Sequence, residues 1–158
     1  MFRIGDKIVY PMHGAGIIED IQEKEILGEI QSYYILKLPI GDMKVMIPIN
    51  NSEELGLRDI VDNETLTSVI KQFNIVSEDM QSNWNRRYRK NMEKIKTGDI
   101  YEVAEVVSSL HQLDITKGLS TGEKKMLNNA KQILISEFVL VKDISNEDAE
   151  QLIFGNIK

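Results

Sequence analysis

The chain has 158 residues, a formal net charge of −6, 42% hydrophobic residues and no cysteine. That is enough for one ordinary domain or two small ones, and it excludes disulfides and thiolate metal sites. No apolar run approaches the roughly 18–20 residues a membrane-spanning helix needs, and MFRIGDKIVY at the N-terminus lacks a secretory layout, so a cytoplasmic protein is expected.

Residues 1–50 read as β structure. Ile8 and Tyr10 alternate with Lys7 and Val9 before Pro11, and PMHGAG over residues 11–16 reads as a turn or bulge. A strand is expected over residues 16–21, a polar hairpin tip with Gly28 over residues 23–29, and a further strand in SYYILKL, residues 32–38. After the turn signal PIGD, residues 43–47 alternate again, with Met43, Val45 and Ile47 on one face and Lys44 and Met46 on the other. Short strands at close spacing predict a small barrel whose closure removes exposed sheet edges.

From about Leu57 the apolar spacing becomes helical. Leu66, Val69, Ile70 and Phe73 mark one helix, and residues 74–82 read as a loop. Asp99 with Glu102 starts another helix, and Gly118 can end it. Ser120 with Glu123 is a capping-box pattern opening the most apolar helix, to about Val141. Ser145 with Asp148 caps a short helix through Phe154. The fold class is therefore α+β: a β domain over residues 1–56 and an all-α bundle of four or five helices over residues 57–158.

Residues 82–96, SNWNRRYRKNMEKIK, stand apart. They hold the only tryptophan, Trp84, with six basic residues and one acidic one, a local net charge of +5. On a helical wheel Trp84, Tyr88, Met92 and Ile95 form a stripe opposite Arg86, Arg87, Arg89, Lys90, Lys94 and Lys96. The ordinary reading is an apolar stripe facing inward and a solvated basic face. The sharper reading notes that Trp84 lies at the helix start, where burial is least assured, and that the basic face is nearly one-signed. Basic residues would hold phosphates while the aromatic stacks on, or inserts beside, a base step. A chain that is acidic elsewhere would need a second partner to bring it to nucleic acid.

His13 and His111 lack paired metal-ligand spacing, no phosphate loop or nucleophile elbow appears, and the carboxylates read as scattered over helix surfaces. No enzyme, cofactor or metal is expected.

Several stretches together resemble the CarD/CdnL family of bacterial transcription regulators. They are GDKIVYP at residues 5–11, His13-Gly14-Ala15, Gly41-Asp42 with Ile47-Pro48, and GLRD at residues 56–59. In the second half they are NWNRRY at residues 83–88, VAEVV at residues 103–107 and Gly118-Leu-Ser120 with Gly122-Glu-Lys124. The resemblance implies that residues 1–56 form a Tudor-like (SH3-like) β-barrel that binds the RNA polymerase beta subunit, a domain shared with transcription-repair coupling factor. It implies that residues 57–158 form a helical DNA-binding domain. The tryptophan matching Trp84 would wedge into the minor groove of promoter DNA at the upstream edge of the bubble, near the minus-ten element, and stabilise the open complex of the sigma-containing holoenzyme. Arg86, Arg87, Arg89, Lys90 and Lys124 would bind DNA. Lys24, Ile26 and Met46 match the polymerase-contacting edge, although arginine is common at the position of Met46 and methionine cannot make a bidentate guanidinium contact. A monomer with no membrane partner is expected. The alternative is a protein-interaction adaptor, its basic helix docked on an acidic protein surface and Trp84 in the core.

Overall fold

The computed structural model describes residues 1–39, 41–73 and 83–155. Strands β1 (Lys7–Tyr10), β2 (Gly14–Ile26), β3 (Glu29–Lys37), β4 (Lys44–Pro48) and β5 (Arg58–Asp59) form one antiparallel sheet of order β4-β3-β2-β1-β5. The sheet wraps around Ile8, Ile18, Tyr34, Leu36 and Ile47, all essentially inaccessible. Its order puts β4 and β5 at the two ends of the hydrogen-bonded ladder. The hairpin departs from expectation. Polar residues 22–25 do not end the strand: β2 runs on to Ile26 and the turn is Leu27–Gly28. Backbone pairing with β3 carries this ribbon out into solvent, where polar side chains are no obstacle to strand structure.

Helices α1 (Asn63–Lys71), α2 (Trp84–Lys96), α3 (Ile100–Thr116), α4 (Thr121–Lys142) and α5 (Asn146–Phe154) follow. Each start has a local chemical cause. The side chains of Asp62, Asn83, Asp99, Ser120 and Ser145 each accept a backbone N–H from the first turn of the helix they cap. The expected loop over residues 74–82 lies outside the described residues. The helices bury a second core in which Phe73, Ile95, Val107, Leu110, Leu134 and Phe138 are nearly inaccessible.

The two regions meet along α4. Val9 and Ala15, on the sheet face opposite the barrel core, pack with Leu140. The Ala15 N–H donates to Ser136 Oγ at 2.8 Å, and that hydroxyl donates to the Ile133 carbonyl at 2.6 Å. Gly14 permits this approach: its φ is +117°, and a Cβ there would stand 2.9 Å from Ser136 Oγ. Arg58 adds a three-way tie. Its guanidinium donates to both carboxylate oxygens of Glu137 at 2.8 Å and to the Gly98 carbonyl at 2.8 Å. Glu137 also accepts the Val61 N–H at 3.0 Å.

Candidate nucleic-acid interface

Asn83 fixes where α2 begins. Its side chain accepts the Arg86 N–H at 2.9 Å, which makes Trp84 the first helical residue. Tyr88 and Met92 are partly buried and Ile95 is buried, so the apolar stripe turns inward from its second member on. Trp84 remains 43% exposed. Its ring stacks on Tyr88, with centroids 5.4 Å apart and planes 25° from parallel.

The first turn of α4 lies beneath that stack. The indole N–H of Trp84 donates to Ser120 Oγ at 2.6 Å. The same hydroxyl accepts the Glu123 N–H at 3.3 Å and donates to the Glu123 carboxylate at 3.4 Å. One turn along α2 from Trp84, Arg87 donates through Nε and Nη2 to the two oxygens of Glu123, at 2.7 and 2.8 Å. This hydrogen bonding raises the Arg87 pKa above its usual value, against the opposing effect of burial, and keeps the guanidinium charged.

The basic stretch thus divides. Arg86, Arg89 and Lys96 are exposed, and Lys90 is partly buried. Arg87 lies elsewhere than on the solvated basic face: its side chain is 13% exposed and bound to a carboxylate that is 2% exposed. Lys94 pairs with Glu105 at 3.0 Å. Acids from α3 and α4 therefore neutralise part of what reads in sequence as a one-signed face. The expectation that carboxylates lie on helix surfaces is corrected at Glu123 and Glu137, both buried. Lys124, next to Glu123 on the first turn of α4, is exposed.

Lys24, Ile26 and Met46 lie in the first domain. Lys24 and Ile26 are exposed on the protruding half of β2, with Leu27 and Ile30 exposed beside them. Met46 is 40% exposed on the edge strand β4. The structure does not merge these three residues with the Trp84 cluster: one set belongs to the sheet, the other to the α2–α4 contact. Among the described residues, no group of three or more His, Asp or Glu side chains is arranged to hold a metal, and no helix is long and apolar enough to cross a membrane.

Comparison with known proteins gives this geometry a context. The model of the CarD-like/TRCF RID domain matches residues 2–61, and that of the CarD C-terminal domain matches residues 68–154. The chain is 46% identical over 147 residues to "Putative transcription factor YdeB" of Bacillus subtilis (strain 168), covering 93% of this chain and 96% of that protein. A solved structure, CdnLNt from Myxoccoccus xanthus, shares 43% identity and covers 39% of this chain and 86% of its own, with a TM-score of 0.35. With both domain models matched in order and a relative aligned over nearly its whole length, the chain belongs to the CarD-like family of bacterial transcription regulators, with a Tudor-like sheet domain followed by a helical domain.

Proposed function

We propose that this chain is a non-enzymatic regulator that bridges the RNA polymerase beta subunit and promoter DNA, and that it stabilises the open complex by placing Trp84 in the minor groove at the upstream edge of the bubble. The division of labour falls at the end of the sheet, whose last strand is β5, Arg58–Asp59. The sheet domain meets polymerase through Lys24, Ile26 and Met46, and the helical domain meets DNA near the minus-ten element. The protein acts in the cytoplasm as a monomer within the holoenzyme complex.

The observation that carries this reading is Trp84: a large aromatic, 43% exposed, held at a helix start instead of being folded into the adjacent core. Exposed Arg86 and Arg89 follow it within the first two turns of α2, and exposed Lys124 lies on the first turn of α4, whose cap Ser120 receives the indole N–H. Cations around an aromatic wedge suit a backbone grip combined with insertion at a weakened base step. Lys90 belongs to the same set, whereas Arg87 serves it from inside the fold. The adaptor alternative needs Trp84 in the core, and the exposure of its ring favours the DNA reading.

Binding the open complex more tightly than the closed one shifts the equilibrium by the difference in affinity. About 1–3 kcal/mol corresponds to roughly 5–150-fold in open population. The test is the lifetime of the open complex formed with cognate holoenzyme, with and without the factor. Trp84→Ala is expected to lose most of the gain while circular dichroism stays native. An undiminished gain from a folded variant would sink the proposal.

A further inference from the structure

We infer that Ser120 and Glu123 are positioning residues for Trp84, Ser120 acting directly and Glu123 through Arg87. The inference rests on the reading of Trp84 as the DNA wedge and adds how the wedge is held. The first turn of α4 forms a socket for the indole edge.

Hydrogen-bond accounting supports this. A hydroxyl offers one donor and two acceptor positions, and Ser120 uses all three: it accepts from the Trp84 indole and the Glu123 backbone, and donates to the Glu123 carboxylate. A serine needed only as a helix cap would use one acceptor position. Glu123 is occupied in turn by the planar fork of Arg87, a geometry that fixes orientation as well as distance. Trp84 and Arg87 are three residues apart and share one face of α2. The α2 face that carries the wedge is therefore held at two successive points against one turn of α4. Gly122 completes the seat: a Cβ there would lie 3.7 Å from both Trp84 Cζ2 and Tyr88 Cε2, so the stacked rings rest directly over that turn.

Two functional consequences follow. The indole is held before DNA arrives, so less side-chain freedom is lost on insertion. The only hydrogen-bond donor of the ring is also already engaged, so Trp84 meets DNA with an aromatic edge and face. It responds to the opening and shape of a base step and contributes no donor to a base edge.

Because Trp84 is the only tryptophan, its fluorescence reports on the socket without added labels. The variant of choice is Ser120→Gly, since glycine is nearly as good an N-cap as serine while removing the acceptor for the indole. Time-resolved anisotropy of the full chain should gain a fast local component. The lifetime of the open complex should fall by about 2–10-fold, the range expected for releasing one ordered side chain. In a Trp84→Ala background, Ser120→Gly should cause no additional loss. Glu123→Gln should give the same pattern with a smaller increase in indole motion. The inference is overturned if the indole of Ser120→Gly is as immobile as before, or if the variant shortens the lifetime equally with Trp84 absent. If Trp84→Ala alone leaves the lifetime unchanged, the wedge reading fails, and with it the functional role of the socket. The anisotropy result then decides only whether the socket holds the ring.

Discussion

Near its start, α4 holds Arg87 through Glu123; near its end, it holds Arg58 through Glu137. The carboxylates are 2% and 3% exposed, and both receive two guanidinium nitrogens. They are fourteen residues apart, about 21 Å along the helix and close to four full turns, so they project from nearly the same side. The chemistry is the same and the surroundings differ. Glu137 also accepts a backbone N–H from the segment following the sheet, and its arginine reaches the turn before α3, so three parts of the chain converge on one carboxylate. Glu123 gathers only α2 and its own cap, beside an exposed aromatic. The first arrangement seals a seam between two domains, and the second steadies a side chain that faces solvent.

Removing one partner of a buried pair leaves an uncompensated charge, so the seam should be the more costly place to cut. Glu137→Ala is expected to lose about 3–5 kcal/mol of stability. It should also separate the unfolding of the two domains: urea transitions followed by Trp84 emission and by circular dichroism should cease to coincide. Coincident transitions with a loss under about 1 kcal/mol would show that the seam holds by apolar contact alone.

Glu123→Ala should cost less, about 2–3 kcal/mol, because Glu123 holds only α2 and its own cap, whereas Glu137 also accepts the Val61 N–H. The Arg87 pKa is raised, so from the arginine side this stabilisation is complete below the ordinary arginine pKa and is lost only as pH rises through the folded value. Urea midpoints of the Arg87→Ala variant and the native chain should thus differ by the same amount at pH 7 and pH 9. Gly14→Ala tests the seam by shape instead of charge. Its positive φ and the close Ser136 hydroxyl predict about 1–3 kcal/mol of strain, read as a lowered thermal midpoint. Trp84→Ala should cost about 1–3 kcal/mol in folding, since 43% of the residue is already in water; a loss of about 3–5 kcal/mol would mark a core tryptophan. The smallest effect belongs to Asp62. The hydrogen bonds from the Thr65 hydroxyl and N–H lower its pKa below 3.8, so its capping contribution is present above that value and disappears as pH falls through the folded pKa. Asp62→Ala and the native chain should converge in stability as pH falls below the ordinary carboxylate range.

What could be read from sequence follows the reach of the interactions. Caps involve residues two or three apart, and the starts after Asp99, Ser120 and Ser145 were legible for that reason. The exposure of Trp84 was legible from its place at the head of an amphipathic helix. Its fastening was not, because Ser120 and Glu123 lie 36 residues from Trp84 and Arg87 respectively. Ser120-Thr-Gly-Glu123 announces a helix start, and nothing local says that its glutamate serves another helix. Glu137 sits in an apolar helix whose spacing gives no hint that a carboxylate there is buried. The length of β2 was hidden for the opposite reason: residues 23–26 read as part of a hairpin tip because the stretch is polar, but a two-stranded ribbon in solvent has no face to bury.

The ties at Glu137, Ser136 and Leu140 have a consequence for how the two ends of the molecule find their targets. A flexible linker would let the helical domain sample a wide volume after the first domain docks, with an effective concentration diluted by every residue of slack. Here the domains meet along one continuous helix and are joined by an ion pair, a buried hydroxyl and an apolar seam. Docking the sheet domain would then deliver Trp84 to a narrow range of positions, at high effective concentration within that range and almost none outside it. On the proposed reading, for a chain of net charge −6 the joint would act as a caliper: its span would decide which phosphates and which base step come within reach.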